Sequence, residues 1–372
     1  MASFPRKLSN KLIQAKEKSV FRSLKTNYPT IDFSSNDYLG FSTQGYLHQE
    51  IKKLEPSIKM GSTGSRLISG NSSLFSEIET SIAHFHKSEA ALVFNSGYDA
   101  NLGLLSSVPQ KGDLILSDEL IHASLIDGIR LSHASYYKFA HNNMASLLDL
   151  VKRHKDSFQE IYVVVESVYS MDGDCAPLIE LAALCKEYHL HLIVDEAHAI
   201  GVFGEDGKGL CQALNIQDDC FARIYTYGKA MGCHGAAVVG SSDLKHFLIN
   251  FSRSFIYTTA MPEHSLLSIK AAYQLLQTTT QIGALQQNIA YFNSKVQKEK
   301  IQFIESNSSI HCLVVPGNEN VQLLEEKLSS ADVFAKSIKS PTVKEGQERL
   351  RICLHSFNTT QDIDLLFDVL SH

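Results

Sequence analysis

Residues 161–173 read Ile-Tyr-Val-Val-Val-Glu-Ser-Val-Tyr-Ser-Met-Asp-Gly. The opening run, Ile161–Val165, is apolar with no polar alternation, which fits a central strand buried on both faces. Immediately after it the chain turns polar. In open α/β sheets ligands bind beyond the carboxyl ends of the strands, so this one stretch predicts both a sheet and the edge at which chemistry would sit.

Similar apolar runs flank it at Ala91–Phe94, Leu114–Leu116, Tyr136–Phe139, Leu190–Val194, Arg223–Tyr225 and Gly235–Val239. Helical patterns such as Leu178–His189 lie between most of them. Strands alternating with helices predict an α/β fold, a largely parallel seven-stranded sheet with helices on both faces. Upstream, Leu8, Leu12, Ala15 and Phe21 predict an amphipathic helix over Pro5–Leu24. A short strand then runs into a turn over Ile31–Gly40. Downstream of Ala272 the chain is more polar, with a long helix expected over Tyr273–Lys300, strands at Ile310–Val315 and Leu350–Leu354, and a last helix at Asp362–Leu370. The expected organisation is an N-terminal helix and arm (1–40), a large domain (41–271) and a smaller C-terminal α+β domain (272–372).

With 372 residues the chain can bury a sizeable core. A net charge of −6 and the absence of any Lys/Arg run argue against a nucleic-acid partner. The seven cysteines form no C-x-x-C pair and are odd in number, which argues against a zinc site or a disulfide framework and for free thiols in a reducing compartment. The basic N-terminus (Arg6, Lys7, Lys11, Lys16, Lys18) lacks the apolar segment of a secretory signal, and every apolar run is too short to span a bilayer. These features predict a cytoplasmic protein with no metal and no membrane partner.

Five strands deliver polar residues to one edge: Asn95-Ser96-Gly97-Tyr98, Ser117–His122, Glu166–Gly173, Asp195-Glu196-Ala197-His198 and Thr226-Tyr227-Gly228-Lys229. Taken singly, each has a plain reading. A lone lysine after a strand is usually solvated, Asp195 could cap a helix, His122 and His198 could be satisfied interior histidines, and Gly97 and Gly228 could be simple turns. Taken together they suit a flat aldehyde cofactor. Lys229 supplies the amine that carries an aldehyde. Asp195 can keep a pyridine nitrogen protonated as an electron sink. Gly97, Tyr98 and Thr226 can supply N–H groups at a helix start, plus hydroxyls, for a phosphate. His122 can stack on the ring, and Ser170 or His198 can meet its hydroxyl.

These residues resemble the α-oxoamine synthases, a branch of the fold-type I transferases that depend on pyridoxal 5′-phosphate (PLP). The resemblance runs over nearly the whole chain. Its motifs are Ser34–Gly40, Gly61-Ser62-Thr63-Gly64-Ser65-Arg66 with Ser69-Gly70, Ser96-Gly97-Tyr98, His122-Ala123-Ser124, Ser170-Met171-Asp172-Gly173, Val194–His198 and Thr226–Lys229. Phe255–Pro262 and Pro341-Thr342-Val343 look most like the subgroup that joins L-alanine to a pimeloyl thioester on CoA or acyl carrier protein. The resemblance implies that Lys229 is the Schiff-base lysine and, once freed, the base that takes the alanine Cα proton. It implies that Asp195 pairs with the ring nitrogen, that His122 stacks on the ring and polarises the forming oxyanion, and that Ser170 and His198 sit by the phenolic oxygen. Gly97, Tyr98 and Thr226 would hold the phosphate, with Thr258 and Thr259 reaching the phosphate of the other subunit of a homodimer. Asn36 and Arg351 would bind the substrate carboxylate, and Arg22 and Thr342 match further substrate positions. Where the subgroup usually carries Arg, this chain has Lys339, a point charge without the bidentate fork. The segment between the first helix and Asp32 is shorter than usual for the subgroup.

Rival readings are another α-oxoamine synthase acting on glycine or serine, a PLP aminotransferase, and a DEAH-type ATPase suggested by Asp195–His198. The last needs a G-x-x-x-x-G-K-[ST] loop, and the two Gly-Lys pairs here are followed by Gly209 and Ala230 instead.

Overall fold

The computed structural model describes residues 4–24, 26–54 and 59–371. Among them are twelve strands. In chain order they begin with β1 (Ile31–Asp32), β2 (Ala90–Phe94), β3 (Leu114–Asp118), β4 (Ser135–Phe139), β5 (Ile161–Glu166) and β6 (His191–Asp195). They continue with β7 (Ala222–Thr226), β8 (Ala236–Gly240), β9 (Ile310–Val314), β10 (Val333–Phe334), β11 (Lys336–Ile338) and β12 (Arg349–Cys353). The chain divides into two compact units.

The larger unit comprises Asn36–Ser170 and Cys175–Ala284. Its sheet has the order β2-β8-β7-β6-β5-β3-β4. The pairs from β4 through β7 are parallel, whereas β8 runs antiparallel to both β7 and β2. All seven strands expected from the apolar runs are present. β5 is buried along its whole length, as its unbroken Val/Ile run requires. β4 instead exposes Ser135, Tyr137 and Lys138, the polar dressing of an edge strand. Helix 97–107 packs on β7, β8 and β2, and helix 178–188 packs on β6. The parallel strands β5, β6 and β7 thus end together, with Glu166, Asp195 and Thr226 as their last residues.

The single helix expected over Tyr273–Lys300 is two, Glu263–Leu276 and Gln281–Glu299. The break falls in the run Thr278-Thr279-Thr280. Threonine hydroxyls compete for backbone partners, and Thr279 Oγ1 accepts the Gln281 N–H at 3.1 Å to start the second helix.

The smaller unit comprises Met1–Ser35, Met171–Asp174 and Leu285–His372. Its antiparallel sheet has the order β11-β12-β9, and β1 pairs in parallel with β10. The N-terminal helix covers Arg6–Glu17, shorter than the Pro5–Leu24 periodicity suggested, and Ser19 ends it at φ 55°. The four residues Met171–Asp174 are held by this unit. Gly173 has φ 80°, and a Cβ there would run into the Ile310 carbonyl. Its own carbonyl accepts from the Ser306 and Ser308 hydroxyls at 2.8 Å, and Asp172 pairs with Arg349. Among the described residues no helix is long and apolar enough to cross a membrane.

Candidate active site

A cavity of about 260 Å³ opens in the larger unit where β5, β6 and β7 end. Asn36, Gly97, Tyr98, His122, Asp195, Thr226 and Lys229 line it, so seven of the residues singled out from the sequence meet in one place. One wall is the start of helix 97–107. Ser96 Oγ caps it by accepting the Asp99 N–H at 3.1 Å, and the first-turn N–H groups need partners from outside the helix. Gly97 admits Thr226: a Cβ at position 97 would lie 2.5 Å from Thr226 Cγ2. Thr226 Oγ1 is itself buried with no hydrogen-bond partner among the described residues.

The last residue of β6, Asp195, is buried and bonded on both oxygens. Oδ1 accepts the Ala197 N–H at 2.9 Å, and Oδ2 accepts from Asn101 Nδ2 at 2.8 Å. Asn101 is interior to helix 97–107 and also donates to Ser124 Oγ at 2.9 Å, which in turn lies 2.7 Å from His122 Nδ1. The Ser124 N–H points to the same Nδ1 at 3.2 Å, which leaves the ring proton on Nε2. Burial pushes the His122 pKa below its usual value; the Asp195 charge opposes this and the Lys229 charge adds to it. His122 is therefore a neutral donor fixed at one end of an Asp195–Asn101–Ser124–His122 chain.

Lys229 sits on the turn after β7, with Nζ 2.8 Å from His198 Nε2. His198 Nδ1 lies 2.8 Å from Tyr38 Oη, and that hydroxyl donates to Asn36 Oδ1 at 3.0 Å. With its own proton given to Asn36, Tyr38 accepts from Nδ1, and the Nε2 lone pair faces the amine. Glu166, at the end of β5, is fully buried in the wall. Burial first, then the Asp195 charge, raises its pKa to about 8, against a lowering by Lys229.

The remaining expected residues lie elsewhere. Ser170 is buried and its backbone N–H bonds Glu166. Thr258 and Thr259 are outside the cavity lining, both tied to Asn95 Nδ2 (3.1 Å to Thr258 Oγ1, 2.9 Å to the Thr259 carbonyl). Arg22 and Thr342 line a cavity of about 770 Å³ in the smaller unit, together with Phe21 and Lys339. Lys339 Nζ bonds the Ser19 carbonyl at 3.1 Å and Gln322 Oε1 at 2.6 Å. Arg351 is buried on β12, 3.0 Å from Cys353 Sγ.

Tyr38, Asn101, Ser124 and Glu166 belong to the larger-unit site without having been singled out from the sequence, and so does His234, which lines the cavity. Tyr38, Ser124 and Glu166 lie inside the quoted motifs and strand ends. Asn101 had a weaker signal, a polar residue one turn into a helix whose neighbours Ala100, Leu104 and Leu105 are apolar.

The arrangement suits PLP. Unsatisfied N–H groups and the orphan Thr226 hydroxyl match an oxygen-rich phosphate. A buried, doubly bonded carboxylate matches a protonated ring nitrogen, and a half-buried amine matches an aldehyde.

Residues 28–370 match the family model described as aminotransferase class I and II. An 8-amino-7-oxononanoate synthase from Emericella nidulans is 38% identical, aligned over 100% of this chain and 97% of its own. Another from Lysinibacillus sphaericus is 36% identical over 90% of this chain and 86% of its own. Among solved structures, 8-amino-7-oxononanoate synthase from Francisella tularensis superposes with a TM-score of 0.76 at 30% identity, covering 92% of this chain and 96% of that one. Serine palmitoyltransferase from Sphingomonas wittichii shares the fold, with a TM-score of 0.89 at 24% identity over 100% of this chain and 98% of that one.

Proposed function

The chain belongs to the aminotransferase class I and II family, and from that premise we propose that it condenses L-alanine with a pimeloyl thioester, releasing 8-amino-7-oxononanoate, carbon dioxide and the free thiol. It is a PLP-dependent acyltransferase of the 8-amino-7-oxononanoate synthase kind, a biotin-pathway α-oxoamine synthase. The observation that carries the reading is the Lys229 amine held by His198 in the same cavity as the Asn101-bound Asp195 and the orphan Thr226 hydroxyl.

When bound, PLP supplies an electron sink for the carbon beside the substrate nitrogen. The chain's own residues do the rest. Lys229 would hold the cofactor through its aldehyde, and its free amine would be the base for the alanine Cα proton. His198, oriented by Tyr38 and Asn36, aims that amine and shares its proton. Asp195, held by Asn101 and the Ala197 N–H, keeps a proton on the ring nitrogen. His122 would pack against the ring, and its Nε2–H would stabilise the oxyanion that forms on the thioester carbonyl. Gly97, Tyr98 and Thr226 hold the phosphate, Ser170 and His198 serve the phenolic oxygen, and Thr258 and Thr259 serve the phosphate of a second copy in a homodimer. Asn36 and Arg351 take the substrate carboxylate, while Arg22 and Thr342 take the acyl chain. All seven cysteines are free, which fits a cytoplasmic enzyme.

The test is purified protein assayed with L-alanine and pimeloyl-CoA or pimeloyl-acyl carrier protein. Visible cofactor absorbance perturbed by L-alanine, together with thiol release, supports the reading. A response to glycine or serine with none to alanine moves the protein to a neighbouring activity. Amino transfer without thiol release makes it an aminotransferase.

A further inference from the structure

β7 has two faces, and only one has been given a task. Thr226 lines the cavity, so Arg223, Tyr225 and Tyr227 point to the opposite side of the sheet. There the larger unit buries an unusual amount of polar matter. Tyr225, Tyr227 and His86 are fully buried, and Tyr273, from helix 263–276, is 4% exposed. His86 stacks on Tyr225 with ring centroids 3.6 Å apart. Its Nδ1 lies 3.1 Å from Gln212 Oε1, its Nε2 lies 2.8 Å from Tyr273 Oη, and Tyr273 Oη lies 3.2 Å from Tyr227 Oη.

The proton positions along this chain are set at its far end. Gln212 Nε2 donates to the Phe85 carbonyl, which turns Oε1 toward His86. An acceptor at Nδ1 requires the imidazole proton there. Burial, with Arg223 and then Lys208 adding to it, pushes the His86 pKa well below its usual value, so Nε2 bears no proton and accepts the Tyr273 hydroxyl. Either phenol could donate across 3.2 Å, but with its proton committed to His86 the Tyr273 oxygen must accept from Tyr227. The Tyr227 side chain is thereby fixed in one orientation by two buried groups, Tyr273 and His86, with the half-buried Gln212 behind them, and none of the three lines the cavity.

Tyr227 is also the base of the turn that carries Lys229. Its N–H donates to the Gly235 carbonyl at 2.9 Å and its carbonyl accepts the Cys233 N–H at 2.9 Å, closing the loop Gly228–His234. Within the turn the Lys229 carbonyl accepts the Gly232 N–H at 2.8 Å, and a Cβ added at Gly228 would meet only the Cys233 carbonyl, at 3.7 Å, so the residue next to Lys229 is loosely packed on its side-chain side.

We propose that Tyr273 and His86 are positioning residues for Lys229: through the Tyr227 hydroxyl they fix the turn from the back of the sheet and so set the direction of the amine. The proposal rests on Lys229 being the cofactor lysine. His86 and the phenols are faced by Arg223, Lys208, Glu196, Cys211 and Cys233, whose charges the test leaves in place.

The experiment compares Tyr273→Phe, Tyr227→Phe, the double variant and Tyr225→Phe as holoenzymes. It reads the pH midpoint of the cofactor's visible absorbance, kcat and KM for L-alanine, and thermal unfolding. Tyr225→Phe removes a buried hydroxyl from the same cluster, one bonded to Arg223 and not to the Tyr227 chain. The expected result is a midpoint moved by about half a pH unit or more and kcat lowered about tenfold in both chain variants. KM should stay within about twofold, and the double variant should be no worse than either single one, because both cut the same chain. Tyr225→Phe should leave the midpoint and kcat where they are, even if its thermal midpoint falls. If the chain variants behave as Tyr225→Phe does, the proposal is overturned; if one of them does not fold, the other decides it alone. Lys229→Ala keeps the two readings apart: a titrating absorbance that survives it sinks the lysine assignment rather than the back-of-sheet chain.

Discussion

The cavity around Lys229 and the cavity around Arg22 and Thr342 are built in opposite ways. The one in the larger unit is about 260 Å³, and its reactive groups stand on strand ends and helix starts, each tied to another polar side chain. The one in the smaller unit is about 770 Å³ and is lined by two stretches, 19–24 and 336–342, with Gln322, Glu325 and Glu326 from helix 318–330. Chemistry requires directions fixed to a fraction of an ångström, and regular elements with bonded partners give them. On the proposed reading the second cavity takes the acyl chain, and the irregular stretches 19–24 and 339–342 give it room and adjustable contacts that β11 and helix 318–330 do not.

The sharpest way to break that contrast is at the lysine. Lys229→Ala should lower turnover by at least about a thousandfold, since on the proposed reading it removes both the cofactor's anchor and the base. Single-turnover assays check this, and appreciable residual turnover would mean that the larger-unit cavity is not where the chemistry happens. Next comes Asn101→Ala, which leaves every proposed contact group in place but frees Asp195 Oδ2. A hydrogen bond to a charged group contributes about 1.5–3 kcal/mol, so kcat should fall about ten- to hundredfold with KM for L-alanine little changed. A loss confined to KM would show the bonded partners to be dispensable.

A third effect appears in the stability of the cofactor-free protein. Glu166 has its folded-state pKa raised from 4.5 to about 8 by burial and by Asp195. Between those values the folded state binds the extra proton, so stability contributed by the neutral carboxyl is present below about pH 4.5 and is lost as pH rises through about 8. Glu166→Gln should flatten that decline in a pH series of denaturant midpoints, and an unchanged slope would mean that another group titrates there. The smallest effect is expected in the other cavity. Thr342→Val should raise KM for the acyl thioester about three- to tenfold at nearly constant kcat. A fall in kcat as large as that of Asn101→Ala would erase the distinction between the two cavities.

The sequence was most readable where one physical requirement dominates. The unbroken apolar run of β5 permits little besides a doubly buried strand, and residues following such strands fall at the ligand edge by geometry alone. Direction was less readable. β8 carries the same kind of apolar run as its neighbours yet runs antiparallel, because a strand covered on both faces has the same composition either way. Partnership was less readable still. Tyr38 meets His198 and Asn101 meets Asp195 from elements far apart in the chain, and no local spacing encodes those meetings. Helix ends were set by details that periodicity overlooks, namely the Thr278–Thr280 run and the left-handed Ser19.

The three-part make-up of the smaller unit has a consequence for how the protein can be made. Thr30 bonds Asp332 across 302 positions of sequence, and the Gly173 carbonyl is held by the Ser306 and Ser308 hydroxyls. A gene cut at Leu285 would therefore yield a C-terminal fragment lacking both the strand that pairs with β10 and the loop held by Ile310, Ser306 and Ser308. On the ribosome, the first thirty or so residues emerge long before their partners do, so this unit can close only near the end of synthesis. Fragment complementation should accordingly succeed only when the piece ending near Ala284 is supplied with its own N-terminus intact.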